Sequence, residues 1–225
     1  MLRLLAVVAL ALVSVACATT SDRPASTGPA GAQPKAATRG AEILVVSGGR
    51  SHFFENRRPH CLAYVLDGEW EFANQQAALR TPDRRRFVGV VLQGAEVLPG
   101  PAGSDLVIRA IAQIIADTEK EWGTPVQARV EAFPSLRPGA VVIDFESIPI
   151  TPEMAARMTM PARPVVGQRL KLPLRVVAPF DASLVMVVTV LEVDDARAIA
   201  SSLEVTEDPQ CWRRTIRERF PGVLQ

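Results

Sequence analysis

Apolar and polar positions alternate through most of the chain after residue 40, and the alternation marks strands. "EILVV" is a short β-rich run ended by Gly48-Gly49. "CLAYVLDGEWEF" predicts two runs, Tyr64 to Leu66 and Trp70 to Phe72, with Asp67-Gly68 as a hairpin-type turn between them. "RFVGVVLQ" reads as a strand, and "VQARVEAF" alternates. In "GAVVIDFESI", Val141, Ile143 and Phe145 share one face and Asp144 and Glu146 the other, the pattern of a half-buried antiparallel strand. "LKLPLRVVAPF" and "SLVMVVTVLEV" predict a strand pair turning near Pro179 to Ser183.

Elsewhere the period lengthens to that of a helix. In "SDLVIRAIAQIIADTEKEWG", Leu106, Val107, Ala110, Ile111, Ile114 and Ile115 form one apolar stripe. Ser104 or Asp105 can cap this helix, Gly123 can stop it, and Arg109, Gln113, Asp117 and Lys120 are expected to face away. "DDARAIASSLEV" predicts a short helix presenting Ala196, Ile199, Ala200 and Leu203. A last helix from Asp208-Pro209 aligns Trp212, Ile216 and Phe220. "PITPEMAARMTMPARP" reads as a surface excursion. Strands come in runs and do not alternate strictly with helices, so the expected fold is α+β: a mainly antiparallel sheet covered by helices, in a single globular domain over 41–225.

The N-terminus follows another rule. Met1-Leu2-Arg3 gives a short positive region, and Leu4 to Ala16 is an uninterrupted apolar run. Thirteen residues at about 1.5 Å each span roughly 20 Å, short of the ~30 Å hydrocarbon core, so a secretory leader fits better than a membrane span. It ends Ser14-Val15-Ala16-Cys17, which resembles the lipobox of bacterial lipoproteins, with Ser14 where Leu is the commoner residue. The resemblance implies a signal peptide over 1–16, cleavage before Cys17 and acylation of Cys17. Two or three acyl chains hold a soluble domain at a bilayer where one does not. Ala18 lacks the aspartate that resembles an inner-membrane retention signal, which implies the periplasmic face of the outer membrane. Residues 18–40, rich in Ala, Ser, Thr, Gly and Pro, read as a flexible tether that completes the 17–40 segment.

With Cys17 assigned to lipid, Cys61 and Cys211 remain as an even pair in an oxidising compartment. A bridge between them would close a loop of about 150 residues and stabilise by roughly 5 kcal/mol in the chain-entropy picture. Two buried free thiols are the alternative. The formal net charge of +1 supplies no bulk field to recruit nucleic acid, and 48% hydrophobic against 22% charged residues suits a globular protein.

Catalytic chemistry finds few candidates. His52 and His60 are the only imidazoles, and no Gly-x-Ser-x-Gly pattern accompanies them. With Cys61 they lack the spacing of a zinc site. Asp144 and Glu146 read as the solvated face of a strand, and aromatics at 5% are few for a sugar cleft. Gly48-Gly49 lacks the further glycine and following helix of a dinucleotide loop. No metal or cofactor is expected. Basic clusters are more prominent: Arg84, Arg85 and Arg86, and a terminal helix with Arg213, Arg214, Arg217 and Arg219. These form a possible contact face for anionic head groups or an acidic partner.

"YVLDGEWEF" and "VDDARAIASSLEV", with the long helix between them, resemble the Mog1/PsbP-like family over roughly residues 60–207. That family's members are mostly non-enzymatic binding or assembly proteins, some of them lipoproteins. The expectation is a non-catalytic, lipid-anchored accessory or binding subunit in envelope assembly or maintenance, with the membrane and an envelope complex as partners. The rival is a small-ligand or lipid-binding module with Met154, Met158 and Met160 forming an apolar mouth. The other rival is an enzyme that gathers His52 or His60 with Asp144 or Glu146.

Overall fold

Two-residue periodicity builds two antiparallel sheets in the computed structural model, which describes residues 34–56, 60–73, 78–101, 104–157, 165–206 and 211–223. The first begins as a meander of β1 (Lys35–Arg39), β2 (Glu42–Ser47), β3 (Arg50–Asn56) and β4 (Cys61–Asp67). Gly48 and Gly49 both have positive φ (59° and 75°), as a two-residue turn matched to strand twist requires. The chain then enters the second sheet with β5 (Glu71–Phe72), β6 (Ala78–Arg80) and β7 (Phe87–Gly94), followed by α1 (Leu106–Trp122). Next come β8 (Ala128–Ala132) and β9 (Val141–Phe145), then an excursion of β10 (Ile148–Pro149), α2 (Pro152–Arg157) and β11 (Arg169–Leu170). The pair β12 (Leu174–Pro179) and β13 (Leu184–Val190) completes the second sheet. The chain returns through α3 (Val193–Ser202) to lay β14 (Glu204–Thr206) beside β4, and α4 (Cys211–Arg219) follows.

The strand orders are β1-β2-β3-β4-β14 and β5-β6-β7-β13-β12-β9-β8, with β10-β11 a separate ribbon. The α+β class and the antiparallel, helix-covered sheet expected from the pattern are present. The sheet, however, is divided in two.

Alternation within single strands assigns the layers. Leu44, Phe53, Tyr64 and Leu66 of the first sheet meet Val88, Val90, Val176, Met186 and Val188 of the second, and Ala196 and Ile199 of α3 join them. The opposite face of the second sheet, with Ile143, Phe145, Val177, Val185 and Val187, packs on Ala110 and Ile114 of α1 and on Met154. The opposite face of the first, with Val45, Phe54, Cys61 and Ala63, packs on Trp212 and Ile216 of α4 and on Phe220 just after it. The layers therefore run α4, five strands, seven strands, α1.

Several expectations are corrected. Lys35–Arg39, expected at the end of the tether, is a strand paired with β2. "RSHFFEN", for which the sequence pattern assigns no strand, is β3, with Phe53 and Phe54 in different cores. Asp67-Gly68 is not a hairpin turn: β4 and β5 belong to different sheets, and the corner carries the chain between them. Gly68 has φ 89° there. The buried Ser51 hydroxyl donates to the Gly68 carbonyl (2.9 Å) and accepts the Trp70 N–H (2.9 Å), while the Trp70 indole donates to the Asp67 carbonyl (3.0 Å). α1 has the expected Asp105 cap and a left-handed Gly123 stop. Arg109, however, is buried, donating to the carbonyls of Pro99 (2.8 Å), Ala95 (2.7 Å) and Leu98, a loop whose backbone acceptors have no strand to pair with.

Two buried carboxylates, Asp195 and Glu42, are held by arginines. Asp195, 1% exposed in the first turn of α3, takes a two-pronged contact from Arg86, which also stacks on Trp70. Arg39 reaches the buried Glu42 (2.6 Å) and the Ala73 carbonyl, and lies over the Phe72 ring. Removing one partner of the Arg86–Asp195 pair should have unequal effects, because Arg86 is 39% exposed and can turn to water while Asp195 has no such exit. Arg86→Met is expected to cost about 3 kcal/mol, and Asp195→Asn clearly less, by urea unfolding.

Tyr64, the only tyrosine, is fully buried with its hydroxyl unpaired among the described residues. Burial, reinforced by Glu55 and Glu42 and opposed by Arg39, pushes its phenol well above the ordinary value. The fold thus favours the neutral phenol. Its contribution is intact below the unfolded value near pH ~10 and is lost as pH rises from there toward the raised folded value. Tyr64→Phe should leave stability unchanged or raise it by about 1 kcal/mol at neutral pH and remove that alkaline slope. Urea unfolding at neutral and alkaline pH measures both.

Candidate functional site

The last helix turns the arginines singled out in the sequence toward solvent. Trp212, Ile216 and Phe220 recur every four residues and are buried against β3 and β4, so the intervening positions face outward. Arg213, Arg214, Arg217 and Arg219 are all exposed. Arg214 lies 3.9 Å from Glu218 and Arg219 lies 3.9 Å from Glu204, both at the limit of an ion pair. Arg213 and Arg217 have no ion pair among the described residues. His52 lies on the same side of the first sheet, its ring edge-on to Phe220 at 4.8 Å. Cys61, buried beside Trp212, is disulfide-bonded. Cys17 and the Cys211 side chain lie outside the described residues. Among the described residues no helix is long and apolar enough to cross a membrane.

The groups considered for catalysis are not brought together. His52 is on β3 of the first sheet and Asp144 on β9 of the second. Asp144 is engaged by Lys171 and lies 3.9 Å from Arg129, and Glu146 is exposed. His60 is near enough to Asp181 to help hold that carboxyl below its usual range, behind the larger effect of the Ser183 N–H. Among the described residues no three His, Cys, Asp or Glu side chains cluster as metal ligands. In the Arg84–Arg86 cluster, Arg84 and Arg85 are exposed while Arg86 turns inward to Asp195. Met154 is a core residue under α1, and Met158 and Met160 lie outside the described residues.

The sequence reading missed a groove of about 440 Å³ on the outer face of the second sheet, beside the last turns of α1. Phe87, Val91, Trp122, Phe145 and Leu172 line it together with Arg175. Arg175 is largely buried. Desolvation lowers the pKa of its guanidinium, with Glu121 pulling the other way. Two local signals pointed here: Gly89 interrupting "FVGVVLQ", and an arginine opening the apolar run "RVVAP". A lone glycine in a strand marks close approach of something to the backbone.

No family model, curated protein or solved structure matches the chain.

His52 makes the contact between α4 and the first sheet pH-dependent. Burial lowers its pKa, and Arg219 and Arg50 add to the effect. The fold therefore favours the neutral ring. Its contribution is present above the unfolded value near pH ~6.5 and is lost as pH falls from there through the lowered folded value. His52→Leu should flatten the acid side of the stability profile, measured as the urea midpoint in steps of pH.

Proposed function

We propose that this chain is a lipid-anchored cell-envelope protein, held through Cys17 at the periplasmic face of the outer membrane. It acts there as a non-catalytic accessory or binding subunit in envelope assembly or maintenance. The observation that carries the docking part is α4 itself. Its apolar side is fastened to the first sheet while two arginines, Arg213 and Arg217, stand exposed without ion pairs among the described residues. Such a face suits an acidic protein surface, and the tether segment beside the lipid would bring the domain within reach of one. In this reading Cys211, at the start of α4, is the partner of the disulfide-bonded Cys61 and fixes the helix to β4.

Cys17→Ser is expected to release the chain from the membrane fraction and abolish uptake of labelled fatty acid. Retention of both would overturn the anchor. Reversing the two unpaired charges together, Arg213→Glu with Arg217→Glu, should lower cross-linking to an envelope partner by about ten-fold or more. The thermal midpoint should move by no more than about 2 °C, because both positions are exposed. Undiminished cross-linking would overturn docking through α4.

A further inference from the structure

The groove beside α1 plays no part in anchoring or in docking through α4, and its shape has a specific origin. In the second sheet Ala78 stands opposite Gly89, Gly89 opposite Thr189, and Thr189 opposite Arg175. These four residues form one cross-strand row on the face that carries α1. Three of them are small, so the sheet is recessed where larger residues would otherwise fill the space. At a strand spacing of ~4.8 Å, the row is about 14 Å long. Phe87 and Val91 flank it on β7, and Trp122 overhangs from α1.

Arg175 closes the recessed part of the row, because its next cross-strand neighbour is Ile143 of the core under α1. Among the described residues its one hydrogen bond is from Nη1 to the Pro173 carbonyl at 3.3 Å, and it has no ion pair. Most of the five N–H donors of its guanidinium are thus left for water or a ligand. A largely buried cation is unfavourable for folding unless an anion or other acceptors meet it, and a carboxylate fits a guanidinium fork through two parallel hydrogen bonds. Glu121 lines the same groove at its exposed side and carries the opposite charge, so the groove as a whole is neutral; the free donors of Arg175 can take one carboxylate, and a dianion is disfavoured. The volume lies within the range of small-molecule sites, about 300–1,000 Å³.

We propose that this groove binds a monocarboxylate amphiphile, its carboxylate on Arg175 and its apolar body along the Ala78–Gly89–Thr189 recess against Phe87, Val91 and Trp122. This goes beyond the anchoring and docking reading and does not rest on it.

The test is photoaffinity labelling of the full-length chain with dodecanoate carrying a diazirine at its methyl end, with adducts mapped by mass spectrometry. Adducts are expected on the peptides that hold Phe87–Val91 and Trp122. Unlabelled dodecanoate should compete, whereas dodecanol and dodecyl phosphate should compete about ten-fold less well. Arg175→Met keeps the aliphatic stem and removes the charge; it should cut labelling by about ten-fold or more without lowering the thermal midpoint. Val91→Trp, at a position 45% exposed, fills the recess and should cut labelling similarly. Adducts spread along the chain, labelling unchanged by both substitutions, or equal competition by the alcohol would each overturn the proposal. Anchoring is read separately from Cys17→Ser, so failure of one leaves the other standing.

Discussion

The central strands must satisfy two cores at once, and the rest of the architecture follows from that constraint. On β13, Met186, Val188 and Val190 face the space between the sheets, while Val185 and Val187 face α1. A strand that is apolar on both faces needs a layer above and a layer below, which a single sheet with one helical cover does not supply. The two sheets cover each other on the inside, and helices must cover the outside. A helix about 10 Å across covers roughly two strands spaced ~4.8 Å apart. Accordingly α1 packs on β12 and β13, and α4 on β3 and β4. Met154 and Ile148 of the excursion extend the cover. Among the described residues no helix covers the β6–β7 side, and the groove is what this mismatch of widths leaves.

Division of the strands into two sheets creates corners, and the buried Ser51 and Asp195 lie there. Ser51 and Trp70 close the corner at Gly68, and Arg86 links that corner to Asp195 on the returning helix. Ser202, at the end of α3, accepts the Val65 N–H at 3.0 Å where β14 no longer pairs with β4. Each of these contacts satisfies a group that the change of direction would otherwise leave unpaired. Pairs such as Arg86–Asp195 add little net stability compared with an apolar substitute, but they penalise alternative arrangements of the corner, since a wrong pairing would bury Asp195 alone.

Local signals sufficed for much of the fold. The stripe and caps of α1, the alternation of β9, the β12–β13 turn, and the four-residue spacing of Trp212, Ile216 and Phe220 were all readable because each depends on neighbours in sequence. The exposed arginines of α4 were readable for the same reason. β3 was hidden because Phe53 and Phe54 are adjacent and serve different cores, against a polar background of Arg50, Ser51 and His52. The corner at Asp67-Gly68 looked like a hairpin because a local turn signal does not say which sheet the next strand joins. The groove was hidden for a stronger reason. Ala78, Gly89, Thr189 and Arg175 become one row only through the pairing of β6, β7, β13 and β12, and that register joins residues about a hundred positions apart. Gly89 and Arg175 were each visible singly, but the recess they form with each other was not.

The two surfaces singled out lie on opposite outer faces, with both sheets between them. A partner seated on α4 therefore leaves the groove open, and an occupant of the groove does not obstruct α4. The α4 face is locally positive in a chain whose formal net charge is only +1, and the groove holds one largely buried guanidinium opposite an exposed carboxylate. Selection for negative partners in this molecule would come from placement and not from bulk charge: fixed arginines in one case on an open helix, in the other in a desolvated recess. The two settings differ in physical consequence. Charge on the open helix is screened by salt and acts mainly on encounter, whereas charge in the recess is screened far less and acts mainly on residence. α3 touches both β4 and β13, so coupling between the faces has a path through it as well as through the shared core of the two sheets.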